Sequence, residues 1–118
     1  MKVFHVEPMG KPRMTRADKR PPKRPAVARY HAFQDLVRLQ AGFFLPRNDD
    51  SIRFFIPMPK SWSKKKSDAH YLKLHAQRPD LDNLLKAFWD CFGEDCHLAS
   101  VYVMKQWVRH GEERIEVS

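Results

Sequence analysis

The sequence predicts an α+β domain with elements in the order β, α, β, short α, α, β, β. Three observations carry this reading. β-prone runs are bounded by Pro or Gly, two other segments place apolar residues at helical spacing with a glycine stop, and 118 residues allow one domain, 1–118, rather than two. A composition of 42% hydrophobic and 12% aromatic residues supplies enough apolar material for a core, which excludes a wholly disordered basic tail.

Val3-Phe4-His5-Val6, closed by Pro8 and Gly10, predicts a first strand at about 2–7. The stretch from Gly10 to Pro25 holds four prolines and seven Lys or Arg, so it can continue neither strand nor helix. It has little to bury, and a mobile basic loop over 10–26 is expected. Tyr30, Phe33, Leu36, Val37 and Ala41 recur at helical spacing before Gly42, predicting a helix over about 27–41. Ser51 to Ile56 reads as a second strand, ended by Pro57 and Pro59. A second basic stretch, Lys60-Ser61-Trp62-Ser63-Lys64-Lys65-Lys66, leads toward a short helix around 67–75. The next helix is expected to be capped by Asp82 or Asn83, to present Leu81, Leu84, Leu85, Phe88 and Phe92 on its apolar face, and to stop at Gly93. Residues 98–108 alternate as a strand, and Arg109 to Glu112 turn the chain into a last strand at 114–117.

The net charge of +8 is unevenly placed. Residues 1–30 carry nine basic and two acidic side chains (+7), residues 31–79 nine and four (+5), and residues 80–118 four and eight (−4). A polyanion held by the basic part, with a metal held by the acidic part, accounts for that asymmetry. The longest uncharged apolar runs, such as 41–45, fall far short of the roughly 20 residues of a membrane span, and the Met1-Lys2-Val3-Phe4 start has no signal-peptide core. A soluble, unprocessed, cytoplasmic protein is expected. Cys91 and Cys96 are expected as buried thiols, since Cys96-His97 lacks the ligand spacing of a zinc site. No phosphate-binding glycine motif supports a nucleotide cofactor, and no nucleophile elbow appears.

The stretch Arg78-Pro79-Asp80-Leu81-Asp82-Asn83-Leu84-Leu85-Lys86, with Gly93-Glu94-Asp95 one helix later, carries the chemistry. Asp80 and Asp82 lie two apart at a helix entrance, Lys86 is one turn above Asp82, and Asp95 returns before the next strand. Brought together, Asp80, Asp82 and Asp95 would repel one another without a cation among them, and oxygen-only ligands suit Mg²⁺ or Mn²⁺. Such an ion can activate water and neutralise charge on a phosphodiester, with Lys86 stabilising the charge that develops. The bland alternative is that the acids cap the helix and the remaining charges are solvated surface.

The chain resembles the RusA family of Holliday-junction resolvases, which are common in phages and prophages. The resemblance rests on Gly10-Lys11-Pro12-Arg13, on Met58 to Lys66 with its Pro59-Lys60-Ser61-Trp62 core, on Arg78 to Lys86, and on Glu94-Asp95 ahead of a strand ending in Met104-Lys105. It implies a small mixed four-stranded sheet with helices packed on it. It also implies a Mg²⁺-dependent homodimer, with Mn²⁺ able to substitute, that binds four-way DNA junctions and makes paired symmetric nicks in a bacterial cell or phage-infected host. By the same resemblance Asp80, Asp82 and Asp95 are the catalytic acids and metal ligands, and Lys86 is needed for cleavage. The pair before the strand is Glu94-Asp95 where the family often has two Asp, so Glu94 can share the metal. The basic segments fit a DNA partner on physical grounds, with Lys11, Arg13, Arg16, Lys64, Lys65 and Lys66 as candidate phosphate contacts. Trp62 is a candidate for stacking on an unpaired base at the junction, for core packing or for a dimer interface. Two other readings stand beside the resolvase: a less selective nuclease for flaps and branched DNA, and a non-catalytic DNA-binding protein.

Overall fold

A computed structural model of the chain describes residues 1–13 and 24–118. The elements are β1 (Lys2–Phe4), α1 (Pro25–Ala41), β2 (Asp50–Pro57), α2 (Lys64–His70), α3 (Leu81–Trp89) with a 3₁₀ turn over Asp90–Phe92, β3 (Val101–Val108) and β4 (Arg114–Val117). The strands form one mixed sheet in the order β1-β4-β2-β3, in which β2 and β3 are parallel and β4 runs antiparallel to both β2 and β1. The parallel pair requires a crossover, and the segment holding α2 and α3 supplies it.

Alternation in β2 turns Ile52, Phe54 and Ile56 to the buried side, where they join Tyr30, Phe33 and Val37 of α1 and Leu84, Ala87 and Phe88 of α3 in a single core. Phe4 and Phe88 of this core pack edge to face with ring centroids 5.3 Å apart, and the partly buried Phe44 and Phe92 extend the ring cluster at its margin. Phe55 points the other way, under the Arg114 guanidinium 4.0 Å from its ring centre. Among the described residues no helix is long and apolar enough to cross a membrane.

Several boundaries differ from expectation for local reasons. β1 stops at Phe4 because the Val6 amide turns back to the Phe4 carbonyl (3.0 Å). α1 begins at Pro25, whose fixed φ and missing N–H suit the first helical turn, so the expected loop over 10–26 closes two residues earlier; residues 14–23 of that loop lie outside the described residues. Leu36, expected on the buried face of α1, is 45% exposed.

The short helix lies at 64–70 instead of 67–75, because Ser63 caps it by accepting the Lys66 amide at 3.2 Å. Residues 72–75 then run beside β3, exchanging backbone hydrogen bonds between Leu72 and Trp107, Trp107 and Lys73, and His75 and Lys105. The N-cap position of α3 is Asp80, not Asp82 or Asn83. β3 starts at Val101 because Asn48 takes the Ala99 and Ser100 amides and Leu98 turns back to Asp95. Cys91 is buried as expected, whereas Cys96 is exposed.

Candidate active site

Asp80 occupies the N-cap of α3 with extended backbone (φ −66°, ψ 146°), yet its side chain makes no cap hydrogen bond. Its carbonyl accepts the Leu84 amide at 3.0 Å, so the backbone starts the helix and leaves the carboxylate free of that duty. Asp82 lies in the first turn and Lys86 one turn above it; Asp80, Asp82 and Lys86 are all exposed. Asp95 is half-buried in the loop between the 3₁₀ turn and β3, where its carbonyl receives the Leu98 amide. Glu94 beside it is exposed. Among the described residues, no three His, Cys, Asp or Glu side chains are close enough together to form a ready-made metal site.

The Gly10-Lys11 segment is docked on this helix. A Cβ at Gly10 would fall 2.4 Å from Asn83 Nδ2, an approach only glycine permits without movement of Asn83. Asn83 Nδ2 in turn donates to the Lys11 carbonyl (3.3 Å). Lys11 Nζ pairs with Asp90 Oδ2 at 2.7 Å, and the Tyr30 hydroxyl donates to the same oxygen at 3.2 Å. Burial, and then the Asp90 charge, push the Tyr30 hydroxyl well above the usual tyrosine range. Beside it, Arg38 Nε donates to the Cys91 carbonyl (2.9 Å), and burial pushes the Cys91 thiol up to about 11, far from a reactive thiolate.

Lys11, expected to track phosphates, is thus engaged with Asp90 and joins the basic segment to the acid-bearing helix. Arg13 is exposed, and its carbonyl accepts from Arg24 Nη2 at 2.5 Å; Arg16 lies outside the described residues.

A second lysine fixes the other side of the entrance. Lys105 Nζ donates to the Pro79 carbonyl at 2.7 Å and to the Gln77 carbonyl, tying β3 to the strand-like approach to Asp80. In β3 it follows Val101 and Val103 on the side that packs against the core. His75, next to this approach, is buried with its ring centre 3.9 Å from that of Trp107. Burial, reinforced by the Lys105 charge, holds its pKa below the usual histidine value.

Lys64, Lys65 and Lys66 are exposed on α2. Trp62 is half-buried, 4.7 Å from the Trp107 ring and 4.8 Å from His70, with Lys66 Nζ 4.3 Å over its ring centre. Trp62 therefore packs on neighbouring rings and still reaches the surface.

Asp90 escaped the sequence reading, while Lys105 entered it only within the Met104-Lys105 motif and Tyr30 only on the apolar face of the first helix. Asp90 had a signal in its spacing, seven residues after Asn83 and so on the same helical face. Lys105 had one in alternating with two valines. Tyr30 was legible only as a core residue.

Compared with known families, residues 4–118 match the family model described as Endodeoxyribonuclease RusA. The chain belongs to the RusA family. As a RusA-family protein it is an endodeoxyribonuclease, and the match covers the docked Gly10-Lys11 segment, α3 and Asp95 together. No curated protein and no solved structure matches the chain.

Proposed function

We propose that this RusA-family endonuclease resolves Holliday junctions as a homodimer, using Mg²⁺ held by Asp80, Asp82 and Asp95. The carrying observation is that Asp80 stands at a helix N-cap without using its carboxylate as a cap, beside an exposed Asp82 and Lys86. The capping alternative thus loses its main support at Asp80. The donors fit a hard divalent ion in kind, being carboxylate oxygens without a competing cation partner among the described residues. When bound, such an ion lowers the pKa of water and offsets charge on the scissile phosphate.

The chain's own residues do the rest. Asp80 and Asp82 present oxygens from a helix start held on one side by Lys105 and on the other by the Gly10-Lys11 segment. Asp95 supplies a third carboxylate from its loop, with Glu94 adjacent. Lys86, one turn above Asp82, offsets negative charge as the phosphodiester breaks. Arg13, Lys64, Lys65 and Lys66 contact phosphates and position the DNA without reading its sequence. Resolution requires two nicks, and a two-fold dimer presents two such sites.

Incubation with Mg²⁺ and matched four-way junction, flap, fork and linear duplex tests this. Paired symmetric nicks confined to the junction are expected. Equal cutting of linear duplex would overturn junction selectivity, and comparable cutting of flaps would favour the broader branched-DNA nuclease.

A further inference from the structure

Two adjoining hollows lie outside the acid-bearing helix. The larger, about 500 Å³, is walled by Trp62, Lys64, Asp68 and Arg109, and the smaller, about 360 Å³, by His75, Gln77, Arg78 and Trp107. Met58, Pro59, Lys60 and His110 line both, so the two hollows share a wall and together make up one cleft region. Its near end is decided by the sequence: Arg78 is two residues before Asp80. The cleft therefore runs from the Trp62 ring to the approach of the acid site.

The charge in this cleft is unbalanced. Asp68 is committed to Arg109 Nη2 at 3.0 Å, whereas Lys60, Lys64 and Arg78 have no carboxylate partner among the described residues. Glu7 stands at the rim of the smaller hollow. Cations spaced along a cleft with a flat aromatic wall complement an anionic strand that carries flat rings, and both hollows fall in the size range of small-ligand sites. An acidic peptide would satisfy the cations but would leave the aromatic wall unused. Among the described residues Trp62 packs against Trp107 and His70, and the exposed Lys66 lies over its ring on a long stem that lets it yield to a base and move to a phosphate.

We propose that this cleft takes an unpaired nucleotide of a DNA strand, with its base against Trp62 and its phosphates on Lys60 and Lys64, so that the strand continues past Arg78 toward Asp80. This rests on the reading of the chain as a nuclease for branched DNA, and it assigns the place where that enzyme holds the strand that has left its duplex. Stacking is interrupted at a branch point, so a base there unpairs at lower cost than in a linear duplex.

The test uses the intact protein, a short oligothymidylate and tryptophan fluorescence. Binding should quench the emission, and Trp62→Phe should remove most of the quench while far-ultraviolet circular dichroism and a cooperative thermal melt show the fold intact. The double variant Lys60→Ala/Lys64→Ala, both positions being exposed, should bind about tenfold more weakly. It should also flatten the slope of log affinity against log salt by about 1.4, because each single-strand phosphate contributes about 0.7. Unchanged affinity and slope in the double variant, or a full quench in Trp62→Phe, would overturn the proposal. Oligouridylate bound more tightly than oligothymidylate would overturn the choice of DNA. Junction cleavage by the wild type is scored separately: its absence alongside the expected quench rejects the resolvase reading, while its presence without any quench rejects the cleft.

Discussion

Replacing Asp90 by Asn removes one charge from a three-residue clasp and leaves its shape. The carboxylate receives Lys11 Nζ at 2.7 Å and the Tyr30 hydroxyl at 3.2 Å, with the Lys11 and Asp90 side chains 31% and 26% exposed. A hydrogen bond to a charged group contributes about 1.5–3 kcal/mol when buried, and partial exposure brings this toward the lower end, about 1.5 kcal/mol. For a chain of this length an unfolding entropy of about 2.1 cal/mol/K per residue turns 1 kcal/mol into roughly 4 °C. Asp90→Asn should therefore lower Tm by about 6 °C. Lys11→Met, which keeps the apolar stem, should cost about the same, and the double variant less than the sum, since the two changes break one interaction.

The clasp has a second signature in DNA binding. A lysine held by Asp90 contributes little to counterion release, so Lys11→Met should leave the salt slope of junction binding nearly unchanged, while Arg13→Ala should flatten it by about 0.9. Thermal melts of the four-member cycle and binding at three salt concentrations read both effects. Single variants within about 1 °C of wild type, or strictly additive losses, would refute the clasp. A salt slope reduced by a full unit in Lys11→Met would return Lys11 to the phosphate contacts.

Gly10→Ala should displace Asn83 from the Lys11 carbonyl, because its Cβ would come within 2.4 Å of Asn83 Nδ2; a Tm lowered by about 4 °C is expected, and an unchanged Tm would show that Asn83 moves freely. His75 makes stability depend on pH. Its folded pKa lies below the unfolded value, so the unfolded chain takes up the proton first and stability falls as pH drops below about 6.5. Melts between pH 8 and pH 5 should show that decline, and His75→Gln should lessen it; identical profiles would place the acid sensitivity elsewhere.

Much of the fold was legible because periodicity and punctuation agreed. β4 falls at 114–117 as read, and Gly93 ends the α3 segment at φ +92°. Position 64–75 was misread because three consecutive lysines gave no apolar face, and the cue that mattered was a capping serine at 63. The acid pair and Lys86 were legible as a motif, since their spacing is local. What was hidden depends on contacts distant in sequence: Lys11 reaches Asp90 across 79 residues, and Lys105 reaches Pro79 across 26. No local pattern distinguishes a lysine that will meet DNA from one that will hold the chain to itself. The charge count alone placed Lys11 and Lys64 together, although one is tied to a carboxylate and the other is exposed.

The central claim is that the carboxylates at the start of α3 hold the ion that cuts DNA. Asp82→Asn tests it most directly, since the amide keeps the size and hydrogen-bonding capacity of the side chain and removes the charge an ion needs. Measured with Mg²⁺ on a four-way junction, the variant should lose cleavage while binding the junction as tightly as the wild type or slightly more so. Cleavage at the wild-type rate by a folded Asp82→Asn protein would contradict the account.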